Sequence, residues 1–322
     1  MSRPMPARVL LLTDSGMSDH AAIGHPERPE RLGATVQGVT DGAVAVNATL
    51  DRPAVEPADD LALQLVHTAW YLETLDAAAA LGGGWVDPDT YLGPASMAAA
   101  RLAAGATLQA AVAVAGSHAE VAFAVVRPPG HHAGPERAAG FCIINNVAVA
   151  AAWLRQAGLA QRIAIVDWDV HHGDGTQAIF EADPELCYAS THQSPLYPGT
   201  GGASERGSGA AQGTKHNEPL PPGSGDAAFT AAWLERLLPA VEAFRPDAIL
   251  ASAGYDAHRD DPLANLEVTE AGYATVAQAL GELARRLGIG GVPLTLEGGY
   301  DLPALRASVA ATVTGLLAGL RG

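Results

Sequence analysis

Short apolar runs of strand length alternate with Ala- and Leu-rich segments of helical period along most of this chain. Strands that are apolar throughout, rather than on alternate residues, are typical of parallel sheets buried on both faces. We therefore predict one α/β domain, residues 1–322, with three α/β/α layers around a mainly parallel sheet, and an irregular loop over Tyr197–Gly225. The alternating segments are Val9–Thr13, Ser96–Ala115, Val121–Val126, Asn146–Gln156, Arg162–Asp167, Leu186–Thr191, Ala227–Phe244, Ala248–Ser252, Glu270–Arg286 and Val292–Glu297.

Composition narrows the function classes. The formal net charge of −16 repels nucleic acid and anionic lipid and favours cationic substrates, unless the charge serves only solubility. No run reaches the 18 or so uninterrupted apolar residues that a membrane span needs. The two cysteines, Cys142 and Cys187, lie in apolar runs and are expected to be buried thiols in a reducing compartment. We expect a cytoplasmic protein; the oligomeric state is not indicated.

The strongest chemical signal follows the run that ends at Asp167. The segment Ile163–Gly175 presents five ionisable side chains in eight positions: Asp167, Asp169, His171, His172 and Asp174. Residues two apart in an extended chain point to the same side, so Asp169 and His171 can supply a carboxylate and an imidazole to one metal, a pairing that suits zinc. The alternative is a strand end whose polar residues cap a helix.

Other strand ends add candidate groups. Asp256, after the run Ala248–Ser252, would complete three protein ligands and leave a position open for water, although taken alone it is better explained as a helix cap. The adjacent His131 and His132 follow a rigid Pro-Pro-Gly loop and suit general acid–base catalysis, with Asp167 and Asp174 available as carboxylate partners.

Tyr300 follows two glycines after the last strand, where its hydroxyl could hold a developing oxyanion; a core tyrosine is the alternative. Cys142 is a candidate nucleophile, but its apolar surroundings favour an inert thiol. The sequence contains no Gly-x-Ser-x-Gly elbow, dinucleotide fingerprint, phosphate loop or Cys-x-x-Cys pair.

These segments, together with the N-terminal His25–Leu32, resemble in order the motifs of the zinc-dependent histone deacetylase family, which has the arginase/deacetylase fold. The resemblance runs from about Val9 to Leu320. The Asp256–Leu263 and Glu297–Tyr300 segments are similar to the class II branch, with its bacterial deacetylases and acetylpolyamine amidohydrolases.

The resemblance implies roles for individual residues. Asp169, His171 and Asp256 match the zinc ligands, and His131 and His132 match a histidine pair oriented by Asp167 and Asp174. Tyr300 matches the tyrosine that stabilises the transition state. The implied potassium ligands are Asp167, Asp169, His171, Ser190 and the backbone of Thr191.

The substrate tunnel is the last part of the resemblance. Phe141 and Tyr197 match its aromatic walls, with Gly140 beside them, and Leu263 matches a gatekeeper at its rim. Arg31 matches an arginine of an internal product channel. Two departures stand out: Leu92 replaces the aspartate that grips the substrate backbone in class I members, and Leu263 replaces the acidic gatekeeper of the polyamine-specific relatives.

The expected activity is zinc-dependent hydrolysis of acetyl or other acyl groups from the side-chain amine of lysine in a protein or peptide. One alternative is deacetylation of acetylated polyamines or another small amide. The alternative from a different class is a catalytically silent acyl-lysine binding module. An arginase-like enzyme with two metals is disfavoured, because too few carboxylates accompany Asp167 and Asp256.

Overall fold

The centre of the protein is an eight-stranded sheet in which every pair of neighbours is parallel, in the order β2-β1-β5-β10-β9-β6-β7-β8. The computed structural model describes residues 6–322. A separate two-stranded antiparallel hairpin is formed by β3 and β4. The strands are β1 (Arg8–Leu12), β2 (Thr49–Asp51), β3 (Gly84–Trp85), β4 (Tyr91–Leu92), β5 (Val121–Ala124), β6 (Ile163–Asp167), β7 (Leu186–Gln193), β8 (Lys215–Leu220), β9 (Ala248–Ala253) and β10 (Val292–Leu296).

Helices cover both faces of this sheet. In β6, Ile163 and Ile165 pack in one apolar cluster with α5, whereas Ala164 and Val166 pack in another with α9 and α10. This alternation places α5 and α9 on opposite faces, because successive strand residues point to opposite sides. The helices are α1 (Glu30–Ala45), α2 (Asp60–Leu63), α3 (Ala69–Ala80), α4 (Ser96–Ala115), α5 (Asn146–Gln156), α6 (Asp174–Ile179), α7 (Asp226–Ala231), α8 (Leu238–Phe244), α9 (Glu270–Leu287) and α10 (Leu302–Arg321), with short 3₁₀ helices at Ser15–Asp19 and Gly209–Ala211.

The strand register determines which residues meet at the carboxyl edge of the sheet. Asp167, the last residue of β6, lies opposite Ser190 of β7 and Ser252 of β9. The next residues of these chains, together with those after β5 and β10, therefore emerge at the same edge. Ligands of open parallel sheets bind at this edge, so the register alone gathers the candidate chemical groups.

The three-layer prediction is confirmed, with two local differences. The segment Tyr197–Gly225 is not irregular throughout, because Lys215–Leu220 forms the edge strand β8. The run Ala227–Phe244 is interrupted by a π-helical stretch, Ala232–Leu237, between α7 and α8. The single-domain organisation stays a prediction, and its first five residues lie outside the described residues.

Two helices, α4 and α10, are long and apolar enough to meet the length and composition of a membrane span. Most of each helix is buried in the protein: α4 packs against α5 and β5, and α10 packs against α1 and α9. The apolar character of both helices is therefore explained by packing in the core.

A buried ion cluster joins the N-terminal segment to this core. Glu27 is 2% exposed and accepts hydrogen bonds from Arg31 Nη1 (3.0 Å) and Arg127 Nη2 (2.6 Å), whose side chains are fully buried. Burial alone would raise the pKa of Glu27, but the charges and hydrogen bonds of the two arginines outweigh burial and lower that pKa to about 2. The carboxylate therefore stays charged and pairs with two buried cations.

We expect Glu27→Gln to lower the free energy of unfolding at pH 7 by about 3–5 kcal/mol, because it leaves two buried guanidinium groups without a counter-charge. The folded pKa of Glu27 lies below the unfolded value, so its stabilisation is present above about pH 4.5 and is lost as the pH falls toward 2. The difference between wild type and variant, measured by urea unfolding from pH 7 to 3, should narrow below about pH 4.5. A difference that does not change with pH would contradict this role.

Candidate active site

A cavity of about 230 Å³ opens at the carboxyl edge of the sheet. Loops after β5, β6, β7, β9 and β10 supply its walls, so distant parts of the sequence meet there. It is lined by Asp89, Pro129, His131, His132, Gly140, Phe141, His171, Leu196, Tyr197, Leu263, Gly298 and Tyr300. The lining thus includes all four residues predicted to contact substrate, both adjacent histidines and the candidate tyrosine.

Three candidate metal ligands converge beside this cavity. The ligand atoms of Asp169, His171 and Asp256 all lie within 4.8 Å of one another. His171 Nδ1 is 3.2 Å from Asp169 Oδ1 and 3.2 Å from Asp256 Oδ2. Two carboxylates and one imidazole form the mixed oxygen and nitrogen ligand set that suits zinc at a catalytic site.

The surroundings of this group fit a cation. Among the described residues, buried Oδ2 of Asp256 has no polar partner besides the ring nitrogen of His171 at 3.2 Å, whereas Oδ1 accepts a hydrogen bond from Val170 N at 2.9 Å. Burial lowers the pKa of His171, but the hydrogen bonds and charges of Asp169 and Asp256 outweigh it and raise that pKa to about 10. Two buried carboxylates thus demand positive charge between them, and a divalent metal can supply it in place of the proton.

The two adjacent histidines differ in charge. His131 Nδ1 lies 3.1 Å from Asp167 Oδ2. Burial lowers the pKa of His131, but the carboxylates of Asp169 and Asp167 outweigh burial and place that pKa well above its usual value. The ring of His131 therefore holds a positive charge, as a group with an electrostatic role would.

His132 has the opposite balance. Its Nδ1 is 2.7 Å from Asp174 Oδ1, which leaves Nε2 free on the ring that lines the cavity. Burial, with the nearby charge of His131, lowers the pKa of His132 to about 3 despite Asp174. Asp174 also accepts a hydrogen bond from Arg137, so its negative charge is divided between Arg137 and His132. His132 is thus neutral at pH 7 and can accept a proton at Nε2.

Tyr300 is held between two fixed groups. Its ring meets Phe141 edge to face at 5.9 Å between centroids, and the Arg31 guanidinium lies 4.9 Å from its ring centroid. Arg31 Nε also donates to Gly299 O at 2.7 Å. Burial raises the pKa of Tyr300 well above its usual value, so the phenol keeps its proton and acts as a hydrogen-bond donor. The position at the cavity wall is the one predicted from the sequence.

The walls of the cavity depend on unusual backbone at the turn Gly140–Phe141. Both residues have positive φ, 54° and 68°, a region that a residue with a side chain such as Phe141 rarely adopts. Thr90 Oγ1 accepts a hydrogen bond from Phe141 N at 3.0 Å and helps to hold this turn. Such strain at a site wall is typical of positions where the placement of a side chain matters. Tyr197, on the other side, meets His132 at 5.1 Å between ring centroids.

Two of the residues predicted to hold potassium, Asp169 and His171, are also candidate zinc ligands. Asp167 and Ser190 are neighbours across β6 and β7, and Ser190 and Thr191 are buried. The hydroxyl of Thr191 accepts a hydrogen bond from Trp233 Nε1 at 3.0 Å, so the side-chain oxygen is engaged. That the backbone of Thr191 is a potassium ligand, as the resemblance implies, stays a prediction.

Several groups at the site were not predicted from the sequence. Asp89, on the β3–β4 turn, lines the cavity, whereas Leu92 is fully buried in an apolar cluster. Glu297 is also buried, and its Oε2 accepts hydrogen bonds from Gly130 N (2.7 Å) and His131 N (3.1 Å), which fixes the histidine loop. Glu297 was visible at the strand end before the two glycines. Cys142 is a free, buried thiol whose pKa burial raises well above its usual value, as expected for an inert group.

Gly298→Ala should abolish metal retention. Its new methyl group would lie 2.6 Å from Oδ2 of Asp169 and closer still to Oδ2 of Asp256, so neither carboxylate could keep its position. Gly33→Ala, in helix α1, is the matched control, because nothing lies within 4 Å of the added carbon. Elemental analysis of both purified variants after dialysis is the measurement. A full metal complement in the Gly298 variant would show that these carboxylates are not the ligands.

Known proteins resemble this chain in sequence and fold. The histone deacetylase domain family model matches residues 25–316. Histone deacetylase 15 of Arabidopsis thaliana is 42% identical over 91% of this chain, which spans only 53% of that relative. A probable deacetylase of Archaeoglobus fulgidus is 40% identical over 92% of this chain and 82% of its own.

A bacterial relative and a solved structure add to this. The histone deacetylase-like amidohydrolase of Pseudomonas aeruginosa is 37% identical over 87% of this chain and 74% of its own. The crystal structure of the HDA15 HD domain superposes with a TM-score of 0.89 at 39% identity, over 98% of this chain and 92% of that one. The α/β architecture predicted from the sequence is thereby confirmed at the level of a whole solved domain.

Proposed function

Since the chain belongs to the histone deacetylase domain family, we propose that it is a zinc-dependent deacetylase that removes acetyl groups from the side-chain amine of lysine. The family membership makes the chain a hydrolase of the deacetylase and amidohydrolase kind. Lysine as the substrate and zinc as the metal are proposals that rest on the residues in and beside the cavity.

The observation that carries the proposal is that a carboxylate–imidazole–carboxylate group, a neutral histidine and a protonated phenol adjoin one narrow cavity. Phe141 and Tyr197 form aromatic walls, and the uncharged side chain of Leu263 also lines the cavity. Apolar walls of this kind suit the methylene chain of lysine, and the polar groups at the end suit its amide.

Each side chain has a distinct role in the proposed hydrolysis. Nε2 of neutral His132 accepts a proton from the attacking water and returns it to the leaving amine, while Asp174 keeps Nδ1 protonated. The charge of His131, held by Asp167, stabilises negative charge that develops nearby. The phenol of Tyr300 donates a hydrogen bond to the oxygen of the former carbonyl. Gly140, Phe141, Tyr197 and Leu263 hold the methylene chain of the lysine.

Asp169, His171 and Asp256 would hold the zinc ion, which when bound supplies Lewis acidity to the amide carbonyl and to a water molecule. Asp167, Asp169, His171, Ser190 and the backbone of Thr191 would hold potassium. The buried Oδ2 of Asp256, which lies 3.2 Å from the imidazole of the candidate ligand His171, supports the zinc assignment independently of the relatives.

Deacetylation of acetylated polyamines is the second candidate. Asp89 adds a carboxylate to the cavity lining, and the net charge of −16 attracts polycations. The neutral side chain of Leu263 in the same lining favours lysine instead, since it offers no charge to a second ammonium.

Steady-state release of acetate from matched acetyl-lysine peptides and acetylpolyamines, with zinc and potassium present, tests the proposal. We expect the higher kcat/KM for the peptides, and loss of activity with a chelator that zinc restores. Faster turnover of the acetylpolyamines would contradict the choice of lysine and would identify acetylated polyamines as the preferred substrates. Activity that survives full removal of metal would contradict the zinc assignment, and binding of acetyl-lysine without hydrolysis would favour a binding module.

Tyr300→Phe should lower kcat about 10²–10³-fold, which corresponds to about 2.7–4 kcal/mol of transition-state stabilisation, because it removes one oxyanion donor. The ring and its contacts with Phe141 and Arg31 remain, so metal content and thermal stability should not change. Turnover close to wild type would contradict the role given to the phenol.

A further inference from the structure

Asp261 is a buried carboxylate, 6% exposed, on the loop between the candidate ligand Asp256 and the rim residue Leu263. Its Oδ2 accepts a hydrogen bond from Tyr300 N at 2.7 Å and a longer one from Asp301 N at 3.4 Å. Its Oδ1 accepts one from Leu263 N at 3.0 Å. One side chain thus joins the loop at the cavity rim to the turn that carries Tyr300.

This carboxylate has no cationic partner within the part of the chain that the structure describes. Its hydrogen bonds come from backbone amides alone. Burial, together with the charge of Asp256, raises the pKa of Asp261 to about 7, although the amides of Tyr300, Leu263 and Asp301 oppose the rise. A buried carboxylate without a counter-charge costs stability, so its contribution must lie in what it holds in place.

The main chain at Tyr300 requires hydrogen bonds to fix its conformation. Gly299, the residue before it, has φ of 119°, and glycine at this position leaves the turn free to adopt other conformations. Arg31 fixes the turn from one side through Gly299 O at 2.7 Å. Asp261 fixes the next amide from the other side. Because the phenol oxygen lies at the far end of a rigid side chain, a small rotation of this backbone moves the hydroxyl several times farther.

We infer that Asp261 is a positioning residue, which aims the hydroxyl of Tyr300 by fixing its amide and which ties that amide to the rim residue Leu263. The inference rests on the proposed function, since it gives Tyr300 the role of oxyanion donor. Asp261 itself does not line the cavity and acts through Tyr300 alone.

Asp261→Asn is the test variant. Asparagine keeps the size of the side chain and one acceptor oxygen, so it cannot accept from Tyr300 N and Leu263 N in the same way. A misplacement of about 1 Å at a catalytic group can cost about 10²-fold, so we expect kcat to fall about 10–100-fold with less change in KM. Metal content should stay at the wild-type value.

The decisive measurement is a double-mutant cycle with Tyr300→Phe. If Asp261 acts through the phenol, D261N should change kcat less than about threefold when the phenol is already absent. A general structural role would lower kcat by the same factor in both backgrounds, and that result would overturn the inference. Less than a twofold loss from D261N in the wild-type background would overturn it as well.

Asp226→Asn is the matched control. Asp226 also accepts hydrogen bonds at an adjacent chain segment, from Thr269 N and Thr269 Oγ1, both at 2.7 Å, but at the start of α9 rather than at the catalytic turn. Its effect on kcat, whatever its size, should be the same with and without the phenol of Tyr300. Should D261N not fold, Asp261→Ser retains a smaller acceptor in the same space and enters the same cycle.

Amide hydrogen exchange separates this inference from the proposed function. In D261N, the peptides that contain Tyr300 and Leu263 should exchange faster than in wild type, while D226N should accelerate exchange only near Thr269. If wild type hydrolyses neither acetyl-lysine nor acetylpolyamine, the proposed function fails. The exchange result still shows whether Asp261 fixes the amides of Tyr300 and Leu263. Unchanged protection at both Tyr300 and Leu263 would overturn the inference even in an active enzyme.

Discussion

Two buried carboxylates that face each other, Asp169 and Asp256, are the constraint on which the rest of the site depends. Like charges this close are unfavourable in a buried setting, so hydrogen-bond donors or cations must stabilise each carboxylate. Backbone amides at His171 and Gly298 donate to Asp169 at 2.9 and 2.7 Å, and Val170 N donates to Asp256. Three different loops are thereby fixed to the two carboxylates before any metal is considered.

The same carboxylates create the asymmetry of the histidine pair. Asp169 lies close enough to His131 to raise its pKa, and the resulting charge then lowers the pKa of His132, whose ring centroid is 4.0 Å away. Two adjacent histidines in a sequence do not show which one is charged. The division depends on burial and on the carboxylates near each ring: Asp167 and Asp169 lie near His131, whereas Asp174 lies near His132. The structure divides the work between a charged ring and a neutral ring that can accept a proton.

What the sequence predicted and what it missed have a common physical reason. Residues that follow apolar strands, such as Asp169, His131 and Tyr300, were predictable because parallel strands bring their carboxyl ends together. The edge strand β8 was missed because its sequence, Lys215–Leu220, is polar and is flanked by glycine-rich loops. Asp89 and Asp261 lie in loops, where position depends on tertiary hydrogen bonds rather than on any period in the sequence.

The N-terminal segment contacts the turn that carries Tyr300. Glu27 holds Arg31, and Arg31 in turn donates to the carbonyl groups of Glu297 and Gly299, on the turn that ends at Tyr300. The carbonyl groups of this turn are therefore held by Arg31, which is 268 residues from Gly299 in sequence and pairs with Glu27 four residues before it. Because Glu27 pairs with both Arg31 and Arg127, the ion cluster links the buried core to the turn that carries Tyr300.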